Sequence, residues 1–188
     1  HDLARETGER LGVPVLFASA GSAWGVRRLL KALRHEGPGP DLTANRLGVS
    51  DPALYAFKIH HGGSVGRLAL SRALGGRIAE GSDLKTRSGD VARLGAVFKM
   101  QGDKTQKVSE AKNGDVVAVA KVDTLKPGEW LGTGALPPDI EVELPARNCA
   151  LAIEPADRKD DVRLSGSLQR VLEEDCALVL EQDEASHE

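Results

Sequence analysis

The stretch GRLALSRALGGRIAEGSDL, Gly66 to Leu84, decides how the chain reads. Side chains alternate along an extended backbone, so Leu68, Leu70 and Leu74 share one side and Arg67, Ala69, Ser71 and Ala73 the other. The leucine side is the expected core side. Arg72 falls on it, where a buried charge is costly unless it is paired, or unless a barrel rim or a bulge frees it. Gly75-Gly76 suits a tight hairpin turn because both residues can take positive φ. Arg77, Ile78 and Ala79 begin a returning strand, Glu80-Gly81-Ser82-Asp83 makes a second turn, and Leu84 re-enters the core. The stretch reads as a barrel hairpin with arginines near its end. Those arginines can meet phosphate, or pair with Glu80 or Asp83 inside the protein.

The flanking sequence extends this pattern. Leu54 to His61 (LYAFKIHH) alternates apolar and polar residues, and Leu94 to Met100 (LGAVFKM) and Asp115 to Val122 (DVVAVAKV) follow, with a turn segment near Glu110 to Gly114. Short strands separated by Gly-Asp turns argue for a closed or nearly closed β-barrel, which also removes exposed strand edges.

Both ends of the chain read differently. Leu3, Ala4, Thr7 and Leu11 fall near helical spacing. Val13 to Ala20 (VPVLFASA) is an apolar run fit for a buried parallel strand. Val26, Leu29, Leu30 and Leu33 then follow at i, i+3, i+4 and i+7, and the helix they predict stops at Gly37 to Pro40. A single strand makes no sheet, so its partners are expected upstream. At the other end, Cys149 to Pro155 and Ala177 to Asp183 read as strands around a helix. That helix opens on acidic residues and carries Leu164, Leu168, Val171 and Leu172 on one face. This is a truncated β-α-β segment, half of a ferredoxin-like domain.

Composition sets the outer limits. The chain has 188 residues, 40% hydrophobic but only 3% aromatic, so its core must lean on Val, Leu, Ile and Ala. No run of about 20 apolar residues offers a membrane span, and no secretory signal is visible. The chain opens on His1 and its one methionine is Met100, which reads as a piece of a longer protein. Residues 53–121 hold 12 Lys/Arg against 6 Asp/Glu, whereas residues 122–188 hold 6 against 16. A basic middle beside an acidic tail suits either a polyanionic partner or a solvated charged surface.

Catalytic and metal signals are weak. Cys149 and Cys176 lack the spacing of a metal or redox pair and read as reduced thiols. His60 and His61 are adjacent on a strand and point to opposite faces, against a shared metal. Asp157, Asp160 and Asp161 read as helix-start residues, and Glu173-Glu174-Asp175 as a solvated helix end. No Ser-His-Asp or Cys-His arrangement has supporting spacing.

Taken together, FKI, GRLALSRALGGRIAEGSDL and RLGAVFKMQGDKTQKVSEAKNGDVVAVAKVDTLKPGEWL, in this order, resemble the second domain of elongation factor G. The methionine-ended strand, the Glu-Ala-x-x-Gly-Asp step and the Pro-Gly-Glu-Trp-Leu turn are all present. PVLFASAGSAWGVRRLLKAL resembles the end of that family's GTPase domain, with Ser19-Ala20 as its last nucleotide motif. LAIEPADRKDDVRLSGSLQRVLEEDCAL resembles the start of its third domain. Leu74-Gly75-Gly76 stands where the family carries aromatic-Ser-Gly, and Cys176 where it carries proline. These departures point toward an elongation factor G-like paralogue.

The resemblance implies a mainly β fold. A translation-factor-type β-barrel at residues 41–145 would be flanked by the α/β end of a GTPase domain at 1–40 and the head of a ferredoxin-like domain at 146–188. It implies a cytoplasmic, ribosome-associated parent that uses GTP and Mg; nothing in the sequence asks for more than a monomer, and neither membrane nor DNA is an expected partner. The phosphate-binding loop and the Asp-x-x-Gly and Asn-Lys-x-Asp motifs are not in this sequence. The isolated chain is therefore expected to bind neither GTP nor Mg and to hydrolyse no GTP. Ser19 and Ala20 would supply the guanine-side loop. Arg67, Arg72, Arg77, Lys85, Arg87 and Arg93 are the candidates for ribosomal RNA contact, with salt bridging to the GTPase domain as the competing role. A release-factor or ribosomal-protection GTPase shares the barrel and stays open, as does a stand-alone RNA- or protein-binding barrel.

Overall fold

In the computed structural model, the structure describes residues 2–62, 65–102, 104–140, 143–144, 146–155 and 157–181. It divides into two compact units, His1–Gly48 and Val49–Glu188.

The first unit is helical. Helix α1 spans Asp2–Gly8, α2 Val26–His35 and α3 Pro40–Leu47. Helix α2 forms where its leucine spacing predicts. Helix α3 was hidden by the Gly-Pro-Gly-Pro sequence, which reads as a stop but is also a start. Pro40 occupies the first turn of α3, where a backbone N–H has no helical partner to lose. Gly48 ends the helix in the left-handed conformation, φ 71°. The strand expected at Val13 to Ala20 is not one. The segment forms no ladder apart from a bridge between Ser19 and Trp24. Val13, Val15 and Phe17 are 89%, 76% and 80% exposed. Among the described residues no strand lies beside it, and an apolar run without a partner has neither its backbone bonds nor its burial.

The second unit is built of strands. In chain order these are β1 Ala53–Gly62, β2 Gly66–Leu74, β3 Ile78–Ala79, β4 Asp83–Lys85, β5 Val91–Arg93, β6 Val97–Gln101, β7 Lys104–Val108, β8 Glu110–Ala111, β9 Val116–Ala120 and β10 Trp130–Gly132. Eight form one antiparallel sheet in the order β5-β4-β10-β1-β2-β9-β6-β7, and β3 pairs with β8. Backbone bonds from Gly81 N to Leu94 O (3.0 Å), Leu94 N to Ser82 O (2.9 Å) and Glu80 N to Ser109 O (3.1 Å) stitch the short sheet to the long one. The result is the barrel-like, mainly β fold expected for residues in this pattern. Its core draws on Leu54, Ala56 and Ile59 from β1, Ala69 and Ala73 from β2, Val117 and Val119 from β9, and Ile78, Leu84, Ala111 and Leu131 from around the closure.

Two details correct the sequence reading of β2. First, β2 pairs with β1 and β9, and not with β3. Gly75 and Gly76 do take positive φ, 73° and 150°, but they turn the chain away from the sheet instead of closing a hairpin. A Cβ on Gly75 would press on the carbonyl of Asp51, and one on Gly76 on the ring of Pro52, so the pair also permits close approach. Second, the core side carries the small residues Ala69, Ser71 and Ala73. The leucine side is the outer one, although Leu68 and Leu74 are themselves covered and fully buried. Small inward residues suit a narrow barrel.

Beyond the barrel, helix α4 spans Asp161–Glu174, as its leucine spacing predicts. The flanking strands do not form. Residues 149–155 and 177–181 carry no ladder, and Leu151 is 85% exposed. Like Val13 to Ala20, they have no neighbouring strand among the described residues. Residues 182 and 183, the end of the second expected strand, lie outside the described residues.

Candidate nucleic-acid interface

A β-bulge organises the site. The register of β1 against β2 slips between Ala56 and Lys58, leaving Phe57 unpaired. Residues Leu54 and Ala56 face the core before the slip, and Ile59 faces it after. One extra residue therefore flips the alternation of the whole strand end. Tyr55, before the slip, faces outward; after it Lys58 and His60 are outward and His61 is turned inward, opposite Arg67.

Arg67 is thereby an internal residue. Its side chain is only 16% exposed. Its Nε donates to Glu173 Oε2 at 3.0 Å, and its two terminal nitrogens donate to Val122 O at 2.9 Å and Leu125 O at 2.8 Å. These bonds occupy the guanidinium fork inside the protein.

Arg72 has the opposite setting. It is exposed and forms no ion pair among the described residues. Register places it in a transverse row on the outer side of the sheet, Trp130 of β10, Tyr55 of β1, Arg72 of β2 and Val116 of β9, of which Trp130 is itself covered and fully buried. The Tyr55 and Trp130 rings lie 4.9 Å apart at 45°. Burial pushes the Tyr55 hydroxyl above its ordinary pKa, so it stays neutral and able to donate. The next row along the same face is Lys58, Leu70, Ala118 and Phe98. Phe57 is 43% exposed and Val116 47%. A cation flanked by aromatic and aliphatic surface on a sheet face can meet a phosphate while the apolar neighbours contact a sugar or base.

Lys85, Arg87 and Arg93 come together on a separate element, the β4–β5 hairpin. Asp83 opposes Arg93, and Lys85 opposes Val91. The loop between the strands is tied by Thr86 Oγ1 to Ser88 Oγ (2.8 Å), Ser88 Oγ to Asp90 Oδ2 (2.7 Å) and Asp90 N to Thr86 Oγ1 (3.1 Å), which fixes the stem on which Arg87 projects. All three cations are exposed and unpaired among the described residues. Arg77 is exposed too, but it pairs with Glu110 at 3.3 Å. The six cations therefore fall in four places, one internal, one on the sheet face, three on one hairpin and one in a surface pair.

The end of α4 is not the solvated terminus its acidic composition suggests. Glu173 Oε2 meets His61 Nε2 at 2.9 Å as well as Arg67, and Glu174 Oε1 lies 3.4 Å from His60 Nδ1 and accepts the backbone N–H of His61. Burial raises the Glu173 pKa, but hydrogen bonds and charge from Arg67 and His61 outweigh it and hold the carboxyl below its ordinary range. At the other end of the helix Asp160 stands at the N-cap without a side-chain cap bond, and Asp157 pairs with Lys159 at 2.7 Å. Among the described residues no cluster of three or more His, Cys, Asp or Glu could hold a metal ion.

Ser19 and Ala20 lie exposed in the first unit on the turn leading into α2. Ser19 N donates to Trp24 O at 2.9 Å, and Ala23 takes φ 55° to close the turn. Gly25 takes φ 75° where a side chain would strike the Phe17 carbonyl. The Ala20 N–H makes no hydrogen bond among the described residues, so it is available to an acceptor.

Sequence reasoning missed Tyr55, Phe57 and Lys58 as site residues. The placement of Phe57 and Lys58 depends on the bulge, which an alternating reading of LYAFKIHH conceals, whereas Tyr55 precedes it and faces out between Leu54 and Ala56. The one available signal was two adjacent bulky residues, Phe57 and Lys58, at the middle of a ten-residue strand.

Comparison with known proteins agrees with this architecture. Residues 52–134 match the family model for elongation factor G domain 2. The chain is 33% identical over 191 residues to an elongation factor G-like protein of Synechocystis, covering 100% of this chain and 28% of the relative. It is 29% identical over 192 residues to elongation factor G of Fervidobacterium nodosum, covering 94% of this chain and again 28% of the relative. A crystal structure of a Thermus thermophilus protein superposes with a TM-score of 0.70 at 32% identity, over 85% of this chain and 24% of that one. The chain thus spans less than a third of these relatives. No described helix is long and apolar enough to cross a membrane.

Proposed function

We propose, from the premise that this chain belongs to the elongation factor G family, that it is the barrel-centred segment of a ribosome-associated GTPase in protein synthesis. The barrel docks on ribosomal RNA and relays the nucleotide state of the parent protein. Its working surface is the outer sheet face around Arg72, with Lys58, Tyr55 and Phe57, supplemented by Lys85, Arg87 and Arg93 on the β4–β5 hairpin. The observation that carries this reading is the contrast along one strand. Arg67 spends its donors on internal acceptors, whereas Arg72 is exposed and unpaired among the described residues. Unpaired cations beside apolar surface support backbone-directed RNA binding, which gives affinity without sequence specificity.

The parent is a cytoplasmic monomer that binds GTP with Mg. GTP supplies the phosphoryl chemistry, and its magnesium and γ-phosphate are held by segments other than this one. The residues here that fit the nucleotide are Ser19 and Ala20, whose exposed turn leaves the Ala20 N–H free to meet the guanine carbonyl. Along the chain, residues 1–40 are the tail of the GTPase domain, 41–145 the barrel domain and 146–188 the head of the third domain.

A directed-cleavage experiment tests the RNA face. An iron–EDTA probe is tethered to a cysteine at position 72 in the full-length protein, with Cys149 and Cys176 replaced by serine. Bound to ribosomes, position 72 should cut ribosomal RNA strongly, and the same probe at position 106, on the edge strand β7, weakly. Strong cutting from 106 with none from 72 would overturn the assignment.

A further inference from the structure

We infer that α4 is joined to the end of the barrel by an ion-pair latch that opens while the barrel stays folded. This makes the position of α4 a property of charge rather than of burial.

The latch is fully specified by named groups. From α4 come the carboxylates of Glu173 and Glu174. Facing them are His60 and His61 on β1 and Arg67 on β2, while among the described residues the neighbouring loop contributes the carbonyls of Val122 and Leu125, both to Arg67. Two adjacent carboxylates thus collect two imidazoles, one guanidinium and the backbone N–H of His61.

Apolar attachment is slight by comparison. No residue of α4 is fully buried. Leu164, Leu168 and Leu172 are half-buried, whereas five of the nine residues of β2 are buried outright. A 14-residue helix is marginal in isolation, so whatever holds α4 on the barrel also largely decides whether it stays helical.

The wiring of Arg67 permits opening. Only its Nε is committed to Glu173, and the other two bonds go to backbone carbonyls of the barrel. When Glu173 leaves, Arg67 remains tethered, and the Val122 and Leu125 carbonyls keep their donor. Opening therefore orphans neither carbonyl, and the two donors it does release, Arg67 Nε–H and the His61 N–H, lie on the surface that α4 vacates, where water can take the place of the carboxylates. The released carboxylates and the His60 imidazole, already about one-third exposed, and the His61 imidazole, 21% exposed, return to water.

Amide hydrogen exchange on the full 188-residue chain tests this, comparing α4 with β9 in the core. In wild type, 1 M NaCl should accelerate exchange across Leu168–Leu172 while Val117 and Val119 keep their protection, because salt screens exposed pairs. The double variant E173Q/E174Q should accelerate α4 by about tenfold, the equivalent of about 1.4 kcal/mol, again without changing β9. If α4 and β9 accelerate together, or if α4 responds to neither salt nor substitution, the latch does not exist as described. The salt arm uses the unaltered protein, so the result does not depend on the variant folding.

Discussion

Val13 to Phe17 and Val116 to Ala120 make an instructive pair. Both are short runs rich in valine, and both suit a strand by composition. In the barrel, Val117 and Val119 are 1% and 0% exposed, held between β2 and β6. In the first unit, Val13 and Val15 lie open to solvent and no ladder forms. Pro14 takes one backbone donor from the first run, but the larger difference is in the neighbours. A strand needs a partner on at least one edge for its backbone and a layer against one face for its side chains.

Truncation at matched apolar positions should give the largest difference between the two regions. Leu54→Ala removes a fully buried side chain and should cost about 2–5 kcal/mol in denaturant unfolding. Val15→Ser should stay within about 0.5 kcal/mol, as an exposed substitution does. Similar losses at the two sites would mean that Val15 is buried in solution.

The next contrast uses two glycines with similar backbones. Gly75→Ala must overcome both φ 73° and a collision with Asp51, and should cost more than about 2 kcal/mol. Gly89→Ala has φ 95° but nothing within 4 Å, and should cost about 1 kcal/mol from backbone strain alone. Thermal melts of the two variants check the order, which reverses if the Gly75 corner can relax.

Two arginines of one strand give a smaller effect. Arg67→Ala leaves the Val122 and Leu125 carbonyls without their donor and should cost about 1–3 kcal/mol. Arg72→Ala should be neutral within about 0.5 kcal/mol. Equal costs would indicate that Arg72 has an internal partner.

The smallest effect is a pH dependence. The Glu173 pKa is lowered in the folded protein, so the unfolded state binds its proton first as pH falls. Its contribution is complete above the ordinary carboxyl pKa of about 4.5 and is lost as pH drops through the lower folded value. Wild type should therefore lose stability more steeply than Glu173→Gln below about pH 4.5. Parallel acid limbs would remove Glu173 from the latch.

Much of the barrel was legible because its signals are local. The Gly-Asp turns, the β1, β6 and β9 runs and the leucine spacing of α4 all fall where the structure has them. The sidedness of β2 was not legible. Leu68, Leu70 and Leu74 outrank Ala69, Ser71 and Ala73 in hydrophobicity, yet the small residues face in. That choice depends on barrel width and on strands β1 and β9 on either side, which β2 does not encode by itself. The β2–β3 hairpin failed for a related reason, since Gly75-Gly76 permits a tight turn but also a corner. Among the candidate cations, the exposure of Lys85, Arg87 and Arg93 on the β4–β5 hairpin was readable from composition and turns. Arg67 was not separable from Arg72, because the bulge at Phe57 and the distant Glu173 decide its fate.

The salt dependence of ribosome binding by the full-length protein tests the functional claim most directly. Wild type, Arg72→Ala and Arg77→Ala are compared by sedimentation across a range of KCl. If Arg72 neutralises a ribosomal RNA phosphate, its removal should weaken binding and shallow the slope of log K against log salt by about 0.7–0.9. Arg77, already paired with Glu110, should change the slope little. A slope for Arg72→Ala identical to that of wild type would contradict the assignment of this face to RNA.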